Sequence, residues 1–332
     1  MTRWTSDPEA AAASLMADAL SEIDVGDRVL LAGGEASLAS RLMAPERTVT
    51  RWSRRVQSQT IVQPEPPAGP YTAALLRLPK SRDEQLMAAH QCLGALSPDG
   101  RLIVYGGNDE GIRSFLRTLG ELGSVTTLAA RGHGRIIALG RRDVTGRLAP
   151  RLADWRQQSD AGRSWTSFPG LFAAGTPDPG TALLLAHLPA LPGDANVLDY
   201  GAGPGAIAEA IGAAQPSVRL TLLDNDSVAL VAAATNVPSA KAWLLGDSLQ
   251  ATGDSRFQMI VSNPPLHVGF KEDLSTLLRL IAEAPDHLTK TGVLLLVVQR
   301  RIALERTLAA SFSSVSTLAD DGRYRVWRAA NK

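Results

Sequence analysis

Cysteine is almost missing from this sequence: Cys92 stands alone among 332 residues. That excludes an internal disulfide framework and any zinc site built from several thiolates. A single thiol suits a reducing cytosol. Net charge is nearly absent too, with 34 Lys and Arg against 33 Asp and Glu and a formal charge of +1. Residues 1–150 carry 18 basic and 16 acidic side chains, and residues 151–332 carry 16 and 17. Neither half can be held to nucleic acid by bulk positive charge, and neither reads as an acidic disordered tail. A local basic face is still allowed. Long apolar runs are lacking as well. The strongest, Val293–Val298, falls far short of the about 20 residues that a membrane helix needs. The opening residues lack the basic-then-apolar order of a signal peptide. These absences predict a cytoplasmic protein with no membrane partner.

What is present is strand–helix alternation, and it occurs twice. The length suggests about two domains, each able to bury its own core. In the second half, strands are expected at Asn196–Tyr200, Arg219–Leu223, Ala240–Leu245, Phe257–Val261 and Gly292–Val298. Helices are expected at Ala206–Ala214, Ser227–Thr235, Leu274–Ala284 and Ile302–Ala310. Val315–Leu318 and Tyr324–Arg328 flank Asp320-Asp321-Gly322 as a closing hairpin. The fold class is therefore α/β, Rossmann-like, with a mostly parallel sheet and an antiparallel terminal hairpin.

The first half reads as a degenerate copy. Arg28–Ala32 runs into Gly33-Gly34 as Asn196–Tyr200 runs into Gly201. Ala73–Leu76 runs into Arg77-Leu78-Pro79-Lys80 as Met259–Val261 runs toward Asn263-Pro264-Pro265. A helix over Asp83–Leu96 leads to a strand at Arg101–Tyr105, and Gly132–Leu139 resembles the final strand. The shorter span from Val29 to Arg77 than from Val197 to Asn263 predicts that the first copy has lost a strand–helix pair. The domains are expected at 1–150 and 151–332, with the boundary in the polar stretch Arg141–Ser164.

The segment Val197 to Ala206 is a strand, a glycine-rich turn (Gly201, Gly203, Gly205) and a helix start. Glycine is needed where the chain turns sharply and a ligand comes close. At the carboxyl end of a parallel strand, such a loop makes a nucleotide-type crevice. The spacing tolerates a dinucleotide. Asp199, however, sits just before the first glycine, where a carboxylate repels a pyrophosphate. It suits a cationic cofactor with an amino acid end, such as S-adenosylmethionine. Asp224 closes the second strand and can accept from both ribose hydroxyls, or else cap the next helix. Asp226 and Ser227 can provide that cap instead. Asp247, after the third strand, can accept from an adenine amine, or be a solvated turn residue. Asn225 and Ser248, which flank these acids, and Asn263 complete the expected cofactor set.

Ser262-Asn263-Pro264-Pro265-Leu266-His267 follows the fourth strand. Two prolines fix φ and restrict the residue before them, giving a stiff turn. Asn263 and the carbonyl of Pro264 can then accept from the two N–H groups of one conjugated amine. The amine lone pair is steered toward an electrophilic methyl group, by positioning rather than by a metal or a strong base. A Pro-Pro turn alone would be a plain structural loop. Its company, the glycine loop and Asp224 at one sheet edge, makes it a candidate site.

With these motifs the chain resembles the class I S-adenosylmethionine-dependent methyltransferases that act on exocyclic or amide nitrogen. Within them it resembles the ribosomal RNA guanine-N2 methyltransferases of the RsmC/RlmG type. The resemblance implies two tandem methyltransferase-like domains: residues 1–150 without cofactor, serving RNA binding or scaffolding, and residues 151–332 catalytic. It implies that Asp199, Gly201, Gly203 and Gly205 form the methionine-end pocket, that Asp224 holds the ribose and that Asp247 holds the adenine. Asn263, Pro264, Pro265 and His267 would form the catalytic loop, with no metal. Phe168 and the segment from Asp178 to Thr181, within Thr176-Pro177-Asp178-Pro179-Gly180-Thr181, would line the pocket mouth. Leu266 replaces an aromatic usual in the family, so Phe168, Phe172 or Phe270 would stack on the base. The implied substrate is guanine N2 in small-subunit 16S ribosomal RNA, taken from an unpaired or flipped base. The implied partner is that RNA or its ribosomal subunit, with a monomeric enzyme. Candidate phosphate contacts are Arg51, Arg54, Arg55, Arg141, Arg142, Arg147, Arg151, Arg300 and Arg301. Three alternatives stay open: methylation of a release-factor glutamine or of adenine N6, a catalytically silent RNA-binding assembly factor, and a dinucleotide oxidoreductase.

Overall fold

A computed structural model of the chain describes residues 8–159, 164–172, 178–264, 267–268, 271–272 and 274–331. It divides into two compact units, Met1–Arg156 and Gln157–Lys332.

The first unit opens with helix α1 (Pro8–Ala19), followed by β1 (Arg28–Ala32), α2 (Ala36–Leu42), β2 (Thr48–Ser53) and β3 (Ile61–Val62). Then come β4 (Tyr71–Arg77), α3 (Arg82–Ala95), β5 (Leu96–Gly107), α4 (Ile112–Gly120), β6 (Gly123–Arg131) and β7 (Gly134–Val144). The strands form one sheet in the order β3-β2-β1-β4-β5-β7-β6. Pairing is parallel from β3 to β5 and antiparallel for β7 and β6.

The second unit begins with an antiparallel pair, β8 (Gln157–Ser159) and β9 (Trp165–Ser167), and helix α5 (Pro179–Leu185). It continues through β10 (Asn196–Tyr200), α6 (Ala206–Ala214), β11 (Arg219–Asp224), α7 (Ser227–Asn236), β12 (Ala242–Leu245) and β13 (Phe257–Ser262). A short antiparallel pair follows, β14 (His267–Val268) with β15 (Lys271–Glu272). The chain ends with α8 (Ser275–His287), β16 (Leu288–Gln299), α9 (Glu305–Ser311), β17 (Ser314–Asp320) and β18 (Tyr324–Ala330). The main sheet runs β12-β11-β10-β13-β16-β18-β17.

Position by position, the two sheets have one strand order and the same closing antiparallel hairpin. This corrects the expected loss of a strand–helix pair from the first copy. The third strand survives as the two residues of β3, paired in parallel with β2. What is missing is a helix: residues 54–60 cross directly where the second unit has α7. Pro64, Pro66 and Pro67 follow β3 at once, and prolines cannot donate to a ladder, so the strand cannot lengthen in that direction. Strand β6 and the short β8–β9 pair lie where no strand was expected.

The strands of the second sheet are apolar on both faces, as a sheet covered by helices requires. Leu198, Tyr200, Leu223 and Ile260 join Leu277, Leu280 and Ile281 of α8 in one core. Val197, Leu220, Leu222, Met259 and Val261 join Ile207, Ala208 and Ile211 of α6 and Ala233 of α7 in the other. Alternation along β10 therefore turns Leu198 and Tyr200 to the α8 side and Val197 to the α6 side. Asp199 shares the face of Val197, which puts its carboxylate beneath the start of α6. Each fully buried leucine contributes about 1.5–3 kcal/mol, so sliding β10 by one residue, which exchanges its faces, is strongly disfavoured. No helix among the described residues is long and apolar enough to cross a membrane.

Candidate active site

Strands β10, β11 and β13 are parallel neighbours, so their carboxyl ends deliver three loops to one edge. The first loop turns on three glycines in the left-handed region, with φ of 68° at Gly201, 54° at Gly203 and 94° at Gly205. The Gly201 and Ala202 amides donate to the carbonyl of Leu223 at the end of β11, at 2.9 and 3.1 Å. Gly205 is the N-cap of α6, and a Cβ there would meet Val237 Cγ2 at 2.7 Å. A Cβ on Gly203 would meet nothing within 4 Å. Gly203 is thus required by its backbone angle and faces open space, while Gly205 is required by both angle and packing.

Asp199 is wholly buried. Its Oδ2 accepts from the Ala208 amide at 3.0 Å, inside the first turns of α6, and its Oδ1 has no hydrogen-bond partner. Burial, reinforced by the charge of Asp224 and opposed by the Ala208 amide, pushes this carboxyl up to about 7. A buried carboxylate oxygen without a partner is costly, and a cation or donor brought to it recovers that cost. Asp224 is engaged rather than free: its Oδ2 accepts from the Gly203 amide at 2.7 Å and its Oδ1 from the Asp226 amide at 2.9 Å. The expectation that a neighbour takes over helix capping holds, since Asp226 Oδ1 accepts from Val228 at 3.0 Å. Asp224 instead ties the glycine loop to the end of β11. Asn225 beside it is exposed.

Asp247 follows β12, half exposed, with Oδ2 3.3 Å from Nη1 of Arg279 on α8. Its main-chain oxygen accepts from the Tyr200 hydroxyl at 2.9 Å and from Nη2 of Arg279. Ser248 is half-buried and opens a 3-10 turn over Leu249–Thr252. Sequence reasoning missed Arg279 and Tyr200 as the groups that hold Asp247. It also missed Asn236, at the end of α7. Asn236 Nδ2 donates to the carbonyls of Pro204 (2.9 Å) and Thr166 (2.8 Å), and its Oδ1 accepts from the Thr166 amide at 2.8 Å. This one amide fastens the glycine loop to β9, and nothing in its sequence position signals that.

At the third loop, Ser262 Oγ donates to the Tyr200 carbonyl at 2.7 Å, which joins the ends of β13 and β10. Asn263 Nδ2 donates to Asp178 Oδ2 at 2.8 Å and to Thr181 Oγ1 at 2.9 Å. Asp178 is the N-cap of α5, with Oδ1 accepting from the Gly180 amide at 2.9 Å, and Thr181 Oγ1 donates to Asp178 Oδ2 at 2.6 Å. Asp178 and Thr181 were expected at a pocket mouth; here they grip Asn263. Pro264 is buried. Pro265, Leu266, Phe270, Thr176 and Pro177 lie outside the described residues. His267 is described only by its backbone, paired in register with Glu272. Of the aromatics proposed to stack on a base, Phe168 is buried and Phe172 is 67% exposed.

The corresponding edge of the first unit is filled. In the first unit Leu76 pairs with Ala32, the residue before Gly33, so Arg77 comes one position later and occupies the place of Asn263. Its guanidinium makes a two-pronged bond to Glu110 at 2.8 and 2.5 Å, lies 3.6 Å from Glu35, and sits over the ring of Tyr105. A Cβ on Gly34 would meet Leu31 Cδ1 and, at 2.7 Å, the Tyr105 hydroxyl.

Several arginines expected to contact phosphate have partners within the chain. Arg55 makes a two-pronged bond to Glu84 at 2.6 and 2.8 Å, and Arg54 lies 3.7 Å from the same carboxylate. Arg142 pairs with Asp99, Arg300 with Asp320, and Arg51 donates to the Ser58 and Gln59 carbonyls. Arg147 and Arg151 are exposed. Among the described residues, no cluster of His, Cys, Asp or Glu could hold a metal ion.

Residues 163–328 match the family model of the methyltransferase small domain. Ribosomal RNA small subunit methyltransferase C from Pseudomonas aeruginosa (strain LESB58) is 32% identical over 274 residues, which cover 79% of this chain and 80% of that one. The chain belongs to the ribosomal RNA small subunit methyltransferase C family. Its counterpart from Shewanella baltica (strain OS195) is 30% identical over 266 residues, covering 77% of this chain and 75% of the relative. A solved structure, the T. thermophilus 16S rRNA N2 G1207 methyltransferase (RsmC) with AdoMet and guanosine, matches with a TM-score of 0.82. It is 24% identical and covers 99% of this chain and 93% of its own, so the tandem fold is shared from end to end.

Proposed function

We propose that the second unit transfers a methyl group from S-adenosylmethionine to the exocyclic N2 amine of a guanine in small-subunit ribosomal RNA. The first unit binds no donor and serves as a scaffold or RNA-binding partner. The observation that carries the reading is Asn263: its side-chain nitrogen faces two acceptors, Asp178 and Thr181, which leaves its carbonyl oxygen as an acceptor at the carboxyl edge of the sheet. An acceptor there suits an amine substrate. The curated relatives are named for small-subunit ribosomal RNA, and the similar T. thermophilus protein is a 16S rRNA N2 G1207 methyltransferase, solved with guanosine.

The residues fit the donor. Asp199 offers an unpartnered oxygen to an ammonium group, Asp224 stands at the end of β11 as an acceptor type that ribose hydroxyls use, and the half-exposed Asp247 can take an adenine amine. When bound, the donor supplies an electrophilic methyl group on a sulfonium and leaves as S-adenosylhomocysteine. Asn263 Oδ1 accepts one N–H of the guanine amine and turns the nitrogen lone pair out of ring conjugation. The amine proton passes to water after transfer, so no strong base is needed. In the first unit, Arg77 in place of Asn263 is a donor and cannot accept from an amine.

Donor binding should be pH-dependent. Asp199 is raised to about 7, so it is largely neutral below that pH and charged above it. Affinity for S-adenosylhomocysteine is therefore expected to fall about tenfold per pH unit below 7 and to level off above it. Titration calorimetry across pH 5.5–8.5 reads this, and Asp199→Asn should flatten the dependence. A wild-type affinity that does not change with pH would separate Asp199 from the donor.

The reaction itself is tested by incubating the chain with methyl-labelled donor and unmodified small ribosomal subunits or naked 16S RNA, then digesting to nucleosides. Label in N2-methylguanosine is expected. Label in N6-methyladenosine or in protein would replace this reading with one of the alternatives.

A further inference from the structure

Asn263 lies 85 residues from Asp178, yet the two meet at 2.8 Å. Asp178 Oδ2 accepts from Asn263 Nδ2 and, being a carboxylate, can only accept. Thr181 Oγ1 donates its one hydrogen to that same Asp178 oxygen at 2.6 Å, so toward Asn263 it also presents only a lone pair. Two acceptors thus converge on one atom of the Asn263 carboxamide. Chemistry permits only the nitrogen there. The oxygen is turned the other way.

Building on the proposed amine substrate, we propose that Asp178 and Thr181 are positioning residues that lock the carboxamide of Asn263 with its oxygen outward. They thereby enforce acceptance of an N–H from the substrate and exclude the reversed amide. An unheld asparagine interconverts two near-isosteric orientations, one of which points an NH₂ at the substrate amine and repels it. The lock has its own support. Thr181 is 5% exposed, and Asp178 is fixed a second time by the Gly180 amide at 2.9 Å. Pro179 in the first turn of α5 lacks the N–H that would otherwise compete for the carboxylate.

A reciprocal exchange tests this. Asp178→Asn keeps a side-chain oxygen to cap α5, since Asn caps about as well as Asp. It places an NH₂ against Asn263, so the carboxamide must reverse. The expected result is a fall in kcat of about 100-fold, with S-adenosylhomocysteine affinity and melting temperature near wild type. Asn263→Asp alone sets two carboxylates against each other and should lose as much. The double variant Asp178→Asn/Asn263→Asp restores a donor facing an acceptor and leaves one carboxylate oxygen outward. It should recover to within about tenfold of wild type, a rescue that a merely structural role does not produce.

The proposal is overturned if Asp178→Asn keeps wild-type kcat, or if the double variant is no better than the poorer single one. A readout independent of turnover accompanies the kinetics: the side-chain amide signal of Asn263 in protein labelled with ¹⁵N-asparagine. It should be protected from exchange in the wild type and lose protection in Asp178→Asn. Absence of any methyl transfer to RNA by the wild type would count against the proposed reaction. The amide signal would still decide the lock, with an unprotected wild-type signal overturning it.

Discussion

Replacing Asn263 by alanine is expected to lower kcat for methyl transfer by about 10²–10³-fold, equivalent to about 2.7–4 kcal/mol of transition-state stabilisation. The substitution deletes the acceptor oxygen at the β13 loop and leaves the rest of the edge in place. Asp178 still caps α5 through Gly180 and still accepts from Thr181, so the helix start should survive. Asp199, Asp224 and Asp247, the residues proposed to hold the donor, do not bond to Asn263, and S-adenosylhomocysteine affinity should change little. The signature is a loss in kcat with donor binding preserved. Single-turnover transfer with labelled donor measures the first, and calorimetry the second. Retention of more than about a tenth of wild-type kcat would remove Asn263 from the chemistry.

The second large effect concerns the first unit. Arg77→Met should destabilise it by about 3 kcal/mol, the lower end of the range for removing one partner of a buried pair. Arg77 and Glu110 are 11% and 8% exposed at their side chains, so the remaining carboxylate would stay buried. Burial raises Glu110, but the bonds from Arg77 and from the Gly107 amide outweigh it, and the group lies below its ordinary value. Its contribution to stability is therefore present above the unfolded value of 4.5 and is lost as pH falls through the lower folded value. In the variant Glu110 loses its largest compensating partner, so the loss appears at neutral pH. For a unit of this size, about 3 kcal/mol corresponds to a fall of about 6–12 °C in the melting transition. The double variant Arg77→Met/Glu110→Leu should recover most of it, because an apolar pair leaves no buried charge. Neither variant should create a donor site, since Tyr105 and Leu31 still fill the loop beside Gly34. Calorimetry should read one S-adenosylhomocysteine per chain throughout; two per chain would contradict a silent first unit. An unchanged melting transition in Arg77→Met would show that the pair contributes nothing.

Legibility in the sequence followed the range of the interactions. The strand–glycine–helix turn at Gly201–Gly205 and the Asn263-Pro264 turn are local: backbone angles and missing N–H groups specify them, and a few adjacent residues reveal them. The mostly parallel sheet with its antiparallel closing hairpin was legible because alternation of strands and helices, with apolar strands, has few topological solutions. The first copy was misjudged because segment length was read as strand count. The structure removed a helix after β2 and shrank β3 to Ile61–Val62, and both changes shorten the chain without changing the sheet. Contacts between distant positions could not be read. Asp178 with Asn263, Asn236 with Pro204 and Thr166, and Arg279 with Asp247 join residues brought together by the sheet edge alone. Asp224 shows the same limit in another form: its carboxylate was correctly placed at a strand end, but its two backbone partners depend on how the glycine loop folds back.

The central claim is that one site, in the second unit, methylates guanine N2 in small-subunit ribosomal RNA. Mass mapping of 16S RNA from a strain lacking this protein, against the parent strain, tests it most directly. The account predicts that a single N2-methylguanosine disappears, and that it returns with the wild-type gene and not with Asn263→Ala. An unchanged 16S modification map, or loss of a methyl group from a nucleotide other than guanine, would contradict it.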